Sequence, residues 1–158
     1  MLKVLLISLI PVLGNFSVVR PKAAVYRYNK DATKTHYYTT NKNELGESKN
    51  GFELEGIGFY ISTKSSKYCM PFLVYANGND YIYTASFDKD IIPSKERYRV
   101  LKRLGYIYTT NVKGTVPLYK YYSQSLKRHF YTITFSEIGK QDRWYDLQGI
   151  AGYVFDHR

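Results

Sequence analysis

Two histidines carry most of the chemistry this chain could offer. His36 opens the run His36-Tyr37-Tyr38-Thr39, and His129 opens His129-Phe130-Tyr131-Thr132. An imidazole can bond a hydroxyl, and a tyrosine offers an apolar ring with a polar tip. A ring that stacks on the apolar face of a pyranose, beside planar polar groups, is what a sugar site needs. The loops before the two runs carry polar Asp31 and Gln124. His36, Tyr38 and Asp31, and likewise His129, Tyr131 and Gln124, therefore form two candidate carbohydrate sites. The competing reading makes the histidines braces that bond a loop carbonyl and makes the tyrosines framework.

Other chemistry is sparse. The chain has no phosphate-cradling Gly-rich loop, no Gly-x-Ser-x-Gly elbow, no zinc-ligand spacing and no calcium-loop pattern. Glu53 and Glu55 alternate on one strand face, and Asp88 and Asp90 sit near a turn, but nothing sets an acid opposite a base. Cys69 is the one cysteine, so no intrachain disulfide can form. It reads as a partly buried free thiol or, less simply, as an intermolecular bridge. The expectation is a noncatalytic protein with no cofactor and no metal, with a secreted hydrolase as the lesser alternative.

The elements that position these residues are repeated. A shift of 93 positions lays Val25-Tyr26-Arg27-Tyr28 on Leu118-Tyr119-Lys120-Tyr121, His36 on His129, and Gly56-Ile57 on Gly149-Ile150. A weaker copy lies midway, with Phe72-Leu73-Val74-Tyr75, Tyr81-Ile82-Tyr83-Thr84 and Gly105-Tyr106-Ile107. The period is about 46 residues, and each copy is too small to bury its own apolar face. His36 and His129 are thus mates in different repeats, which argues against one shared metal.

Each repeat predicts a β-hairpin: strands at Ala24 to Tyr28 and His36 to Thr40, Pro71 to Tyr75 and Tyr81 to Ala85, Pro117 to Tyr121 and His129 to Ile133. Asn77-Gly78 marks a tight turn in the middle copy. Asn41-x-x-Glu44 and Thr134-x-x-Glu137 have capping-box spacing, whereas Ser86-x-x-Lys89 lacks the glutamate. One or two helical turns are expected after each hairpin, the longest over Ser94 to Leu104. Strand-like runs close the repeats at Phe52 to Ile61, Gly105 to Thr109 and Trp144 to Phe155. Alternation puts Tyr37, Ile82 and Phe130 toward the core, and their neighbours, including Tyr38, Tyr83 and Tyr131, away from it. The expected fold is all-β with short helical turns, a threefold pseudo-symmetric β-trefoil-like domain of twelve strands, four per repeat. Its repeats span about 24–66, 67–112 and 113–158.

The N-terminus reads as a secretory signal over residues 1–14. Lys3 is followed by a short apolar run from Val4 to Leu13, and Val12 and Gly14 suit cleavage after Gly14. A buried first strand is the alternative. The run is too short for an ordinary membrane span. Residues 15–23 read as a disordered lead holding the one sequon, Asn15-Phe16-Ser17, which cleavage would leave at the new terminus. A secreted, extracellular location follows. Loss of Lys3 leaves 22 basic against 13 acidic residues, a net +9. That charge attracts anionic polymers or acidic proteins, or is simply a soluble basic surface. The densest cluster is Lys95, Arg97, Arg99, Lys102 and Arg103. It carries the alternative function, a protein- or polyanion-interaction module.

Over residues 24–155, the Val25-Tyr26-Arg27-Tyr28-Asn29 and His36-Tyr37-Tyr38-Thr39-Thr40 runs, with their counterparts ending in Gly149-Ile150-Ala151-Gly152-Tyr153-Val154, resemble a known family. This is the tyrosine-rich threefold repeat domain of unknown function found in secreted proteins, often beside hydrolase or adhesin domains. The resemblance implies an extracellular, noncatalytic, β-trefoil-like accessory module and supplies no ligand. The second repeat departs from the pattern, with Tyr81 in the histidine position. Glycans or cell-surface glycoconjugates are the expected partners.

Overall fold

Alternating aromatic and aliphatic residues, broken by polar loops, make hairpins here, and the third strand of each unit covers them. The computed structural model describes residues 20–85 and 97–157. Its strands are β1 (Lys22–Lys30), β2 (Thr35–Thr39), β3 (Ser48–Lys49), β4 (Phe52–Ser62), β5 (Cys69–Asn77), β6 (Asp80–Thr84), β7 (Arg99–Tyr108), β8 (Val116–Ser123), β9 (Arg128–Thr132) and β10 (Asp146–Val154). Short 3-10 turns lie at Asp31–Thr33, Lys42–Glu44 and Phe135–Glu137. All pairs are antiparallel, and the main path runs β2-β1-β4-β7-β10-β8-β9, with β5 pairing β6 and β7. The signal segment and the Asn15 sequon lie outside the described residues. Among the described residues no helix is long and apolar enough to cross a membrane.

One three-stranded unit recurs: β1, β2 and β4; β5, β6 and β7; β8, β9 and β10. Each long pairing carries two bulges at matching places, around Tyr26 and Tyr28, Leu73 and Tyr75, and Gly149 and Gly152. The units join where Ser62 pairs Tyr106, Tyr153 pairs Tyr108, and Tyr60 bridges Phe155. Glycine makes the approach possible: a Cβ at Gly105 would stand 2.8 Å from Ile61 Cγ2 and 2.9 Å from the Ser62 carbonyl.

The core explains the repeated tyrosine. Each second strand is paired on one side only, so its other edge turns backbone groups into a dry interior. Tyrosine hydroxyls take the place of a missing strand. The N–H of Tyr38 donates to Tyr83 Oη (2.7 Å), that of Tyr83 to Tyr131 Oη (3.0 Å), and that of Tyr131 to Tyr38 Oη (3.0 Å). In return the Tyr38 hydroxyl donates to the Tyr131 carbonyl (2.5 Å) and the Tyr83 hydroxyl to the Tyr38 carbonyl (3.2 Å). The rings meet edge to face, with centroids 5.2, 5.3 and 6.0 Å apart. Their exposures are 1, 2 and 1%, and burial drives all three hydroxyl pKa values far up.

Several expectations need correcting. The facing of the second strands is inverted: Tyr38, Tyr83 and Tyr131 join the main core, while Ile82 and Phe130 fill separate satellite clusters and Tyr37 packs on Phe52 and Tyr81. Apolarity alone did not decide the face, because tyrosine hydroxyls were needed inside. Among the described residues there are ten strands rather than twelve, one of them two residues long. The expected helix over Ser94 to Leu104 is strand from Arg99 onward, since Arg99, Val100, Lys102 and Arg103 pair with β5; tertiary pairing overrides helix propensity there. Its start lies outside the described residues. β1 begins at Lys22, inside the stretch expected as a disordered lead.

Candidate ligand-binding groove

The six residues proposed for the hairpin sites fall into three settings. Tyr38 and Tyr131 are interior and do not reach the surface. Asp31 and Gln124 sit at exposed hairpin tips, where Asp31 pairs with Lys34 and Gln124 accepts from Lys127 Nζ at 3.0 Å. The hydrogen bonds and ion pairs of His36 and His129 go to other residues, Glu55 and Asp80. The histidines themselves are clasped between units.

His36 packs edge-on against Phe130 with ring centroids 4.6 Å apart at 62°. Its counterpart Tyr81 packs on Tyr37 at 4.8 Å and the same 62°. The histidine position is thus a ring-packing position. His36 Nδ1 is buried without a hydrogen-bond partner, and Nε2 lies 3.8 Å from Glu55. Burial, aided by nearby Arg27, pushes its pKa down to about 4, so it is neutral at pH 7. His129 is held differently. Its Nδ1 lies 2.8 Å from Asp80 Oδ2, its backbone N–H donates to Oδ1 at 2.8 Å, and Tyr98 donates to Oδ2 at 2.7 Å. Burial alone would raise the Asp80 pKa, yet the bonds from His129 and Tyr98 hold it below the usual range. This cluster ties the third unit to the second. Among the described residues no group of His, Cys, Asp and Glu could hold a metal ion.

Three seams between units differ in how they treat a cation. Where the first unit meets the third, Arg27 bonds Glu55 (2.8 Å) and Glu137 (3.0 Å), and Thr132 donates to Glu137 (2.6 Å). Beside Arg27 lies a narrow cleft of about 140 Å³, and a second of about 200 Å³ lies between His36 and Phe130, Glu137 and Tyr145. Where the second meets the first, Lys102 bonds Glu44 (2.6 Å) and Thr39 (3.0 Å), while Thr39 and Tyr37 both donate to Glu44 (2.6 Å). Burial works against the Glu44 charge, but these bonds hold its pKa low. The two glutamates of the capping-box motifs therefore serve neighbouring hydroxyls and cations rather than their own cap. Asn41 caps Asn43, and Thr134 makes no side-chain cap.

Among the described residues the third seam is the wider one. A groove of about 580 Å³ lies where the third unit meets the second, lined by Met70, Thr109, Lys120 and the stretch from Gln148 to Tyr153. Lys120 pairs with Tyr131 across β8 and β9 as Arg27 pairs with Tyr38 across β1 and β2. Burial lowers its pKa, and among the described residues it has no ion pair or hydrogen bond. The hairpin reading of the sequence missed this groove. The signal was Gln148, which stands 93 positions after Glu55.

Of the basic cluster, Lys102 is committed to Glu44, and Arg103 lies over the Tyr106 ring at 4.9 Å. Arg97 and Arg99 are exposed, and Lys95 lies outside the described residues. Cys69 is half-buried and accepts from Ser66 Oγ at 3.2 Å.

Residues 24–155, which take in all three units, match the family described as Domain of unknown function (DUF5648). The chain belongs to that family. No curated protein and no solved structure matches it. Membership in this family of unknown function assigns no ligand, so function rests on the seams.

Proposed function

We propose that this DUF5648 domain is a secreted, noncatalytic binding module whose ligand is carbohydrate. The site is the open groove between the third and second units rather than the hairpin tips. The observation that carries the reading is the groove's lining. It joins Tyr153 and the apolar Met70 and Ile150 to the Gln148 amide, the Thr109 hydroxyl and the Lys120 ammonium. Sugars call for that mixture of a ring or apolar wall and a few fixed polar groups. We also read the three units as turning about one pseudo-threefold axis, β-trefoil-like, with the tyrosine ring of hydrogen bonds at its centre.

An array of neutral and acidic glycans tests the function. Binding is expected, weakened at least about threefold by Gln148→Ala without a change in melting temperature. No binding to any glycan at high protein concentration removes the reading. N-terminal sequencing of the exported protein tests the location, with Asn15 expected as the first residue. The polyanion alternative draws its support from exposed Arg97 and Arg99. It predicts binding that disappears as salt screens it.

A further inference from the structure

The charged side chains are sorted by end. β1, β5 and β8 start, and β4, β7 and β10 finish, at one end of the molecule, where Lys22 pairs Ser62, Cys69 pairs Tyr108 and Val116 pairs Val154. The segments between units are laced together there. Thr63 donates its N–H to the Pro21 carbonyl (3.0 Å) and Thr109 to the Tyr68 carbonyl (3.0 Å). Arg20 and Lys22 donate to the Lys113 and His157 carbonyls (3.0 and 3.2 Å) and lie over the Tyr108 and Phe155 rings. Lys64, Lys67 and Lys113 are left exposed on two different loops. Beside them Tyr68 is 48% exposed, with Lys67 Nζ 5.3 Å from its ring centre. Asp156, paired with His157, is the one described carboxylate at this end. The others stand on hairpin tips, in the loops after the second strands and in the first halves of β4 and β10. The excess survives residues 86–96. They hold Asp88, Asp90 and Glu96, and setting all three beside Asp156 still leaves the five cations Arg20, Lys22, Lys64, Lys67 and Lys113 in the majority. Tyr98, two residues beyond Glu96, is held at the opposite end by its bond to Asp80. Residues 1–19, which lead into Arg20, contain Lys3 and no carboxylate.

We infer that this end docks on an anionic membrane surface, with Lys64, Lys67 and Lys113 among the lipid headgroups. A leaflet rich in anionic lipid attracts clustered lysines and arginines in this way. The cations come from separate loops around one end, not from one strand or one groove, so they suit a plane better than a thread-like polyanion. Tyr68 beside Lys67 is the kind of side chain an interface takes in, its ring against acyl carbon and its hydroxyl in water. Arg20 and Lys22 add to the field of this face while keeping their carbonyls. The Arg99 to Arg103 stretch, which pairs with the far half of β5, is not part of the face. Neither is the groove of Lys120, so the inference stands apart from the carbohydrate reading.

The test is cosedimentation of the full chain with vesicles of phosphatidylcholine alone and of phosphatidylcholine mixed equally with phosphatidylglycerol. Each lysine at an anionic surface tightens binding about fivefold. The mixed vesicles should therefore be bound about a hundredfold more tightly, and Lys64→Gln, Lys67→Gln and Lys113→Gln combined should lose about that much with melting unchanged. The same three positions changed to arginine should keep the binding. Lys49→Gln, Lys127→Gln and Lys140→Gln combined remove equal charge from exposed positions on the hairpin side, and should change binding less than about threefold. Equal binding to both vesicles, or none to either, overturns the inference. So does an equal loss in the two glutamine triples, which would make net charge the cause. Binding to heparin without binding to vesicles overturns it in favour of a soluble polyanion. A gain of about tenfold or more in Asp88→Asn with Asp90→Asn overturns it by showing that residues 86–96 neutralise this end.

Discussion

The Arg27 seam and the Lys120 seam use matching strands at the same register, but among the described residues only Arg27 is bound by carboxylates. Arg27 sits between Glu55 and Glu137, and the cleft beside it is small. Lys120 and Gln148 both line a groove about four times larger. The lesson is that a repeated framework can differ at one joint in the residues that stand beside a cation, Gln148 in the place of Glu55. The framework itself, the tyrosine ring of hydrogen bonds, belongs to all three joints alike and is where the largest mutational effect lies. Tyr38→Phe leaves both the N–H and the carbonyl of Tyr131 buried without partners. At about 1–3 kcal/mol for each group, the expected loss is about 2–6 kcal/mol. Chemical denaturation of Tyr38→Phe beside wild type checks this, and a loss below 1 kcal/mol would mean the ring of bonds is not what holds the joints.

The histidine position gives the next effect and separates packing from ligand chemistry. Unfolded, His36 titrates near its ordinary 6.5; in the fold burial lowers it to about 4. Between those values the unfolded chain binds the extra proton, so stability falls as pH drops from 6.5 toward 4. The loss reaches up to about 3 kcal/mol. Depressed Asp80 and Glu44 act lower, their contribution being lost as pH falls through and below the ordinary carboxylate range. His36→Tyr copies the residue that repeat two already uses at this place. It should fold, keep the edge contact to Phe130, and flatten the slope between pH 6.5 and 4 in melting experiments. A slope unchanged in His36→Tyr would assign the pH dependence to another group.

The repeat, the all-β class and the hairpins were legible in the residues, because period-2 alternation and Asn77-Gly78 act locally. The inward face of the second strand was not. Alternation marks two faces and cannot say which is core when both are aromatic: Tyr37, Ile82 and Phe130 lie on one, Tyr38, Tyr83 and Tyr131 on the other. That choice was made by the need to satisfy an unpaired strand edge, a tertiary demand no single repeat reveals. The same holds for Arg99 to Leu104, whose composition favours helix until β5 offers it a ladder. The candidate histidines were found, but their roles depended on partners from other units, Phe130 for His36 and Asp80 for His129. The groove's lining includes an exception to the repeat, Gln148 for Glu55, rather than a residue the copies share.

Removing the carboxylates ranks the closed seams. Glu44→Ala strips Lys102 of its counter-ion and leaves the Tyr37 and Thr39 hydroxyls without their acceptor, for an expected loss of about 1–3 kcal/mol. Glu137→Ala costs less, about 0.5–2 kcal/mol, because Glu55 still holds Arg27. Urea titration of both variants gives the order, and a larger loss at Glu137 than at Glu44 would reverse the ranking of the two joints.

The smallest effect has the opposite sign, which makes it the sharpest probe of the difference between seams. Lys120 bears a cost that Arg27 does not: its ammonium is partly taken out of water, as the burial-lowered pKa reflects, and among the described residues no carboxylate bonds to it. Lys120→Gln removes that cost while keeping most of the stem that packs against β10, so the unliganded protein should gain up to about 1 kcal/mol. A domain of this size would then melt roughly 3–5 °C higher. Arg27→Gln should do the reverse, since it leaves Glu55 and Glu137 facing each other without their cation. The pair of melting curves, one shifted up and one down, is the signature of one filled joint and one left open. Curves shifted down together would show that both cations are neutralised within the chain.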